Sequence, residues 1–225
     1  DTLHSLYVGS YGRNTAINTS DVDILVELPS NLFDHYNNLS GNGQSRLLQA
    51  VRNAILNVYP RSDVRADGQV IKIAFSDGMR FEIVPTFKSI YGGYKYPNTN
   101  CGGKWESTNP KAEQEAMAEK NRSSNGLLYD TCRHIRYIRD NYFSSYHLSG
   151  IVIDSFVYEA IGNWRWLNSG ESSSSPSGTY EQVLLNYYNQ HGICYGVSIN
   201  APGSNDTVST ASSYECLGKV LRYMI

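Results

Sequence analysis

Two aspartates, Asp21 and Asp23, stand i, i+2 at the head of the apolar run Val22-Asp23-Ile24-Leu25-Val26, ten residues after the pair Gly9-Ser10. Side chains alternate faces along a strand, so both carboxylates point one way while Val22 and Ile24 point the other. Their Cα atoms then lie ~7 Å apart, from a rise of ~3.3 Å per residue. Two hard carboxylates at that spacing can hold Mg²⁺, which prefers oxygen ligands and shares its shell with substrate phosphates. The Gly9-Ser10 turn offers backbone N–H groups, and Ser10 a hydroxyl, that can cradle a polyphosphate. A third carboxylate, Glu82, follows on a second strand-like run, Met79-Arg80-Phe81-Glu82-Ile83-Val84-Pro85. An isolated Asp-x-Asp serves as often to solvate a strand end. The spacing from Ser10, the Val/Ile/Leu run and Glu82 together favour the metal reading.

The elements that must position these groups follow from the pattern around them. Residues 6–29 read as a strand, a phosphate turn and a second strand that ends at Pro29, and the Asn/Ser/Gly-rich residues 30–44 read as loop. Leu47, Leu48, Val51, Ile55 and Val58 fall at helical spacing over 46–59, and Pro60 stops that helix. Runs 70–75 and 79–84 flank Ser76-Asp77-Gly78, and Asp-Gly between apolar runs is a hairpin signal. On the second run Arg80 and Glu82 share a face opposite Phe81 and Ile83. Glu82 therefore points where Asp21 and Asp23 point if the strands are neighbours. Residues 88–110, rich in Tyr, Gly, Asn and Lys, have no period and read as a connector and lid or as a disordered insertion.

Helices follow. Residues 112–122 are polar, and 126–143 carry Leu128, Cys132, Ile135, Ile138 and Tyr142 at helical spacing. Residues 151–167 carry Phe156, Val157, Ala160, Ile161 and Trp164, residues 180–191 end at Gly192, and 207–224 form the last helix. The Ser-rich stretch 171–178 is a surface loop. The fold class is α+β, with a mixed sheet and helices over 1–110 and a helical lobe over 111–225.

Composition narrows the chemistry. A length of 225 residues suits one large domain or two lobes. The net charge of −2 and the absence of a Lys/Arg run leave no standing nucleic-acid footprint, so stable duplex binding is not expected. The four cysteines, 101, 132, 194 and 216, have no CxxC spacing; Cys132 and Cys216 sit in apolar helical patterns and read as small buried hydrophobes. The five histidines include no HExxH or paired spacing, so zinc is not expected. No apolar stretch reaches the ~20 residues of a membrane span, and a reduced, cytoplasmic protein is the expectation.

At the residues quoted above the chain resembles the nucleotidyltransferase superfamily of DNA polymerase β. Within it, Gly9-Ser10-Tyr11-Gly12-Arg13 through Ser20-Asp21-Val22-Asp23, with Trp105-Glu106-Ser107-Thr108-Asn109-Pro110 downstream, is similar to the bacterial cGAS/DncV-like nucleotidyltransferases (CD-NTases) of anti-phage signalling. The resemblance runs from about residue 6 to residue 224 and implies a polymerase β-like core followed by a helical lobe that completes the nucleotide pocket. It implies two Mg²⁺ ions, replaceable by Mn²⁺, held by Asp21, Asp23 and Glu82. Asp is usual at the third position; Glu is also a competent Mg²⁺ ligand. Such relatives carry a helix before the first motif, so this chain reads as truncated at its N-terminus.

The resemblance also implies weaker sites. Arg136 aligns with a helical Lys that contacts a triphosphate, or else it lies on a solvated helix face. Ser155 and Phe156 align with a Ser-Tyr pair that touches phosphate and stacks on a base; the spacing of Phe156 also suits core. Arg13 reaches phosphate from the turn, and Gly9 and Ser10 cradle it. Trp105 and Asn109-Pro110 shape the pocket or simply start a helix.

The activity implied is the joining of nucleoside triphosphates into a cyclic di- or trinucleotide second messenger with release of pyrophosphate. A downstream effector binds the product rather than this chain. Two alternatives stay open. One is nucleotide transfer to an RNA end, a protein or a small molecule, and the other is an inactive sensor or scaffold on the same fold.

Overall fold

The computed structural model describes residues 3–173, 178–191 and 197–225. The chain groups into two units, Asp1–Gly12 with Ser20–Lys111 and Arg13–Thr19 with Ala112–Ile225.

In the first unit the chain forms β1 (Ser5–Tyr7), α1 (Gly9–Gly12), β2 (Val22–Glu27), α2 (Ser30–Asn37), α3 (Gly43–Val58), β3 (Asp63–Asp67), β4 (Val70–Ala74), β5 (Arg80–Lys88), β6 (Tyr94–Asn98) and β7 (Lys104–Thr108). The strands make one mixed sheet in the order β1-β2-β5-β4-β3, with β6 added to β5 and β7 to β6. β2 and β5 run parallel; the remaining pairs are antiparallel. One face of the central strands is apolar. Val64, Ile71 and Ile73 are buried there with Leu48 of α3, and Val51, Ile55, Phe81 and Ile83 pack around them. α3 starts cleanly because the Asn42 side chain accepts a 2.9 Å hydrogen bond from the Ser45 N–H. Strand alternation then sends Asp23, Glu82, Lys72 and Arg65 to the opposite face.

The second unit contains α4 (Pro110–Ser123), α5 (Leu127–Tyr142), α6 (Gly150–Ala160), α7 (Tyr180–Gln190), the short pair β8 (Ser198–Asn200) and β9 (Thr207–Ser209), and α8 (Tyr214–Tyr223). Its core joins Leu128, Cys132 and Ile135 of α5 to Ile153, Phe156 and Val157 of α6, with Leu184, Leu217 and Val220. Cys132 and Cys216 are buried, as their helical spacing predicts. Among the described residues no helix is long and apolar enough to cross a membrane.

The α+β architecture is as the sequence indicates, and five local readings are corrected. Residues 30–37 are helix, not loop. Their low helical propensity is overridden by Phe33, whose ring centroid lies 5.3 Å from that of Phe87 and 4.9 Å from that of Trp105. Residues 63–67 are a strand, whose charged/apolar alternation is too short to give a clear period in the sequence. Residues 88–110 are not a structureless stretch but carry β6 and β7, with Tyr94 buried and Trp105 donating from Nε1 to Asn37 at 3.0 Å. α6 ends at Ala160 rather than 167, beside Gly162 with φ +54°. Residues 207–224 divide into a strand and a helix, β9 and α8. The Gly192 stop signal, Cys194 and the middle of the Ser-rich stretch lie outside the described residues.

Ile71 is fully buried between the sheet and α3. Ile71→Ala is expected to cost about 2–5 kcal/mol of unfolding free energy, read from urea denaturation. A loss below about 1 kcal/mol would mean that this face is not the core of the unit.

Candidate active site

The parallel pairing of β2 with β5 sets Asp23 directly beside Glu82. Paired residues on neighbouring strands lie about 5 Å apart at Cα, so these two carboxylates rise from adjacent points of one sheet face. Asp21 stands one residue before β2 and accepts a 2.6 Å hydrogen bond from Arg80 Nε. Arg80 shares its face with Glu82, which brings Asp21 to the same side. The next strand continues the row, because Glu82 pairs with Lys72 and Lys72 with Arg65. Across β2, β5, β4 and β3 the side chains therefore read Asp23, Glu82, Lys72, Arg65.

Glycine at position 9 is required twice. Its φ is +58°, and a Cβ built there would lie 1.9 Å from Asp23 Oδ2. The Val8 N–H donates to the Asp23 carbonyl at 2.9 Å, so the turn carrying Gly9 and Ser10 is tied to the strand that carries the aspartate.

The carboxylates do not gather on a single point. Among the described residues no group of three or more His, Cys, Asp or Glu side chains is arranged to hold a metal. Two of the three carboxylates face cross-strand cations. Asp21 turns to Arg80, and the Glu82 carboxylate lies 3.7 Å from Lys72 Nζ. Lys72 also binds Asp67 at 2.7 Å. That hydrogen bond, with the added field of Glu82, holds the Lys72 ammonium above its ordinary pKa. The donor set itself fits a hard divalent cation. It offers only carboxylate oxygens, two of them on directly paired residues, with a glycine backbone packed against one.

Residues expected to touch phosphate or base from the helical half are used internally. Arg136 is 1 % exposed, and its Nη1 and Nη2 donate to the Asp154 oxygens Oδ1 and Oδ2 at 2.7 and 2.8 Å, with Nη2 also reaching the Gly150 carbonyl at 3.0 Å. Arg13 donates from Nε to Asp154 and from Nη1 to Glu113, both at 2.8 Å, and the Thr15 hydroxyl donates to Asp154 at 3.0 Å. Phe156 is fully buried in the apolar core, and Ser155 is fully buried beside Asp154. Burial pushes the Asp154 carboxyl up, but the charges of Arg136 and Arg13 outweigh it and hold the group below the usual carboxylate range. Burial raises Glu113 against the pull of Arg13. This network escaped sequence reading because Asp154 looks like any lone helix acid. The only signal was an acid inside the largely apolar run Ile151-Val152-Ile153-Asp154-Ser155-Phe156-Val157.

A family profile described as the Second Messenger Oligonucleotide or Dinucleotide Synthetase domain (SMODS) matches residues 1–121. The chain is similar to a probable cyclic nucleotide synthase of Bacillus cereus (strain VD146), 25% identical over an alignment of 195 residues that covers 77% of this chain and 58% of that protein. It is also similar to a cyclic AMP-AMP-AMP synthase of an Acinetobacter species, 28% identical over 158 residues, or 69% of this chain and 45% of that protein. The chain thus spans about half the length of these curated relatives. Among solved structures, the CdnE cyclic dinucleotide synthase of Elizabethkingia meningoseptica, with GTP and Apcpp, matches with a TM-score of 0.66 at 17% identity, covering 98% of this chain and 82% of that one. That likeness is one of fold.

Two expectations follow from these contacts. Asp154→Ala leaves Arg136 and Arg13 buried without their shared partner and is expected to cost about 3–5 kcal/mol in urea unfolding. The contribution of Asp154 is present above the ordinary carboxylate range and is lost as pH falls through its lowered value. Gly9→Ala forces φ > 0 on a Cβ residue and drives it into Asp23, so it is expected to lower stability by at least about 1 kcal/mol. In the double variant Gly9→Ala/Asp23→Ala the collision is relieved, and the two changes together should cost less than their sum. Strict additivity would show that Gly9 does not press on Asp23.

Proposed function

We propose that this chain, which belongs to the Second Messenger Oligonucleotide or Dinucleotide Synthetase family, is a metal-dependent nucleotidyltransferase that joins nucleoside triphosphates into a cyclic di- or trinucleotide second messenger. The observation that carries this reading is the pairing of Asp23 with Glu82 on one sheet face, with Asp21 on the same side and the Gly9-Ser10 turn against Asp23. Asp21, Asp23 and Glu82 are the residues that would hold Mg²⁺, as two ions, or Mn²⁺ in its place. When bound, such ions neutralise the charge that builds up between attacking hydroxyl and leaving pyrophosphate.

The chain's own residues bind and orient. Ser10 offers its hydroxyl to the phosphates, and the turn at Gly9 lets backbone approach them where a side chain would collide. In each addition a ribose hydroxyl of one nucleotide gives its proton to solvent and its oxygen forms a bond to the α-phosphorus of another, the bond from that phosphorus to the bridging oxygen breaks, and pyrophosphate leaves. Closing the ring repeats the step within the linear product. Arg13, Arg136, Ser155 and Phe156 take no part in this scheme, because their polar or aromatic groups are enclosed in the helical unit. The names of the relatives support a cyclic product, and a role in anti-phage signalling (CBASS) in the cytoplasm, with an effector that reads the product, accords with the family. The near-neutral charge accords with small nucleotides rather than long RNA as substrate.

The test is incubation with labelled ATP, GTP, CTP and UTP plus Mg²⁺ or Mn²⁺. The expected product resists phosphatase and shows no free 2′ or 3′ end by mass spectrometry. Asp23→Asn should abolish it while leaving the melting temperature unchanged or raised, since one of several neighbouring negative charges is removed. Extension of added RNA, or labelling of a protein with one nucleotide, without any phosphatase-resistant product would overturn the cyclase reading.

A further inference from the structure

Beside the carboxylates the sheet face holds a cavity of about 200 Å³, lined by Asp21, Asp63, Arg65, Lys72, Arg80 and Glu82 among others. Its three cations come from three neighbouring strands, β3, β4 and β5, and each is held by a carboxylate. Arg65 Nη2 lies 2.8 Å from Asp63, Lys72 Nζ lies 2.7 Å from Asp67 and 3.7 Å from Glu82, and Arg80 Nε lies 2.6 Å from Asp21. We propose that Arg80, with Lys72 and Arg65 beside it, forms a subsite for the phosphates of a nucleoside triphosphate, in which Arg80 and Lys72 are released from Asp21 and Glu82 when those carboxylates take up a divalent metal. This rests on the metal reading of Asp21, Asp23 and Glu82 given above.

The same two carboxylates serve both roles, so the two roles exclude each other. Asp21 is in contact with Arg80, and the side chains are 40% and 63% exposed. A pair that exposed is screened by water and is held weakly, so a divalent ion of twice the charge displaces it. Once Asp21 is engaged elsewhere, Arg80 loses the partner described here, and Lys72 keeps Asp67 but is released from Glu82. The cavity then changes from three cations facing three carboxylates to a net positive pocket. Arg80 suits the task best, since its planar guanidinium presents a fork of N–H donors matched to phosphate oxygens and, unlike that of Arg65, it is paired with one of the metal-binding carboxylates. The exchange makes phosphate binding depend on prior metal binding within one sheet face. The phosphates of a donor nucleotide and those of a second, acceptor nucleotide share this chemistry.

Calorimetric titration of the chain with Mn²⁺ alone, then with a non-hydrolysable ATP analogue at saturating Mn²⁺, tests the idea on wild type, Arg80→Gln and Asp21→Asn. Arg80→Gln is expected to bind Mn²⁺ about two- to fivefold more tightly, because the competing ion pair is gone. It is expected to bind the analogue about ten- to a hundredfold more weakly. Loss of one of two analogue sites per chain would identify the acceptor's phosphates, and weakening of a single site would identify the donor's. Arg80 is well exposed, and circular dichroism should report an unchanged fold.

Failure at each level is distinct. A wild-type chain that binds no Mn²⁺, or an Asp21→Asn variant that binds it undiminished, overturns the metal reading beneath the proposal. Equal Mn²⁺ affinity in wild type and Arg80→Gln overturns the exchange. Tighter Mn²⁺ with unchanged analogue binding overturns the phosphate subsite.

Discussion

Two strands that run the same way cannot be joined by a tight turn; they need a crossover of a dozen residues or more. β2 and β5 are such a pair, and the chain between them supplies α2, α3, β3 and β4. From that requirement the rest of the first unit follows. α3 must bury its apolar stripe, and it does so on Val64, Ile71, Ile73, Phe81 and Ile83. With that face covered, the alternate residues of the same strands are left to the other side, and they are Arg65, Lys72, Glu82 and Asp23. One topological constraint thus sets both the core and the charged face, and it does so with Asp23 and Glu82 in register.

The second unit is organised around a buried charge rather than an exposed one. Moving a carboxylate out of water costs several kcal/mol unless charge and hydrogen bonds replace the water. Asp154 receives both, from Arg136, Arg13 and Thr15, and Glu113 balances the second guanidinium. The arrangement draws three segments distant in sequence, residues 13–15, α5 and α6, onto one acid. It also explains why Gly150 begins α6, since a Cβ there would stand 3.1 Å from Arg136 Nη2. Ser155 Oγ is buried next to the cluster without a hydrogen-bond partner in it, a small cost carried by an otherwise satisfied network.

How much of this could be read from the sequence differs by element, for physical reasons. The strand around Asp23, the helix through Leu47 and Leu48 and the strand through Glu82 were legible, because each buries one face and its period is plain. α2 was not, because its stability comes from Phe33 docking on Phe87 and Trp105, residues some 50 to 70 positions away. β6 and β7 were hidden for a related reason: their aromatic and polar residues form strands only because β5 extends far enough to pair with them. Arg136 and Phe156 show the opposite error. A likeness of position suggested phosphate and base, while the apolar residues around them on α5 and α6 already favoured burial. The salt bridges of Arg80 and Lys72 required knowledge of the strand order, which spacing along the chain does not contain.

The row Asp23, Glu82, Lys72, Arg65 is also asymmetric. It spans three strand spacings, ~14 Å, with two negative charges at one end and two positive charges at the other. A body that is positive at its head and negative along its tail meets attraction throughout when laid along the row in one sense, and repulsion at both ends when reversed. The sheet therefore imposes a direction on what lies across it. That directional preference is inscribed in the backbone register itself, before any side chain moves.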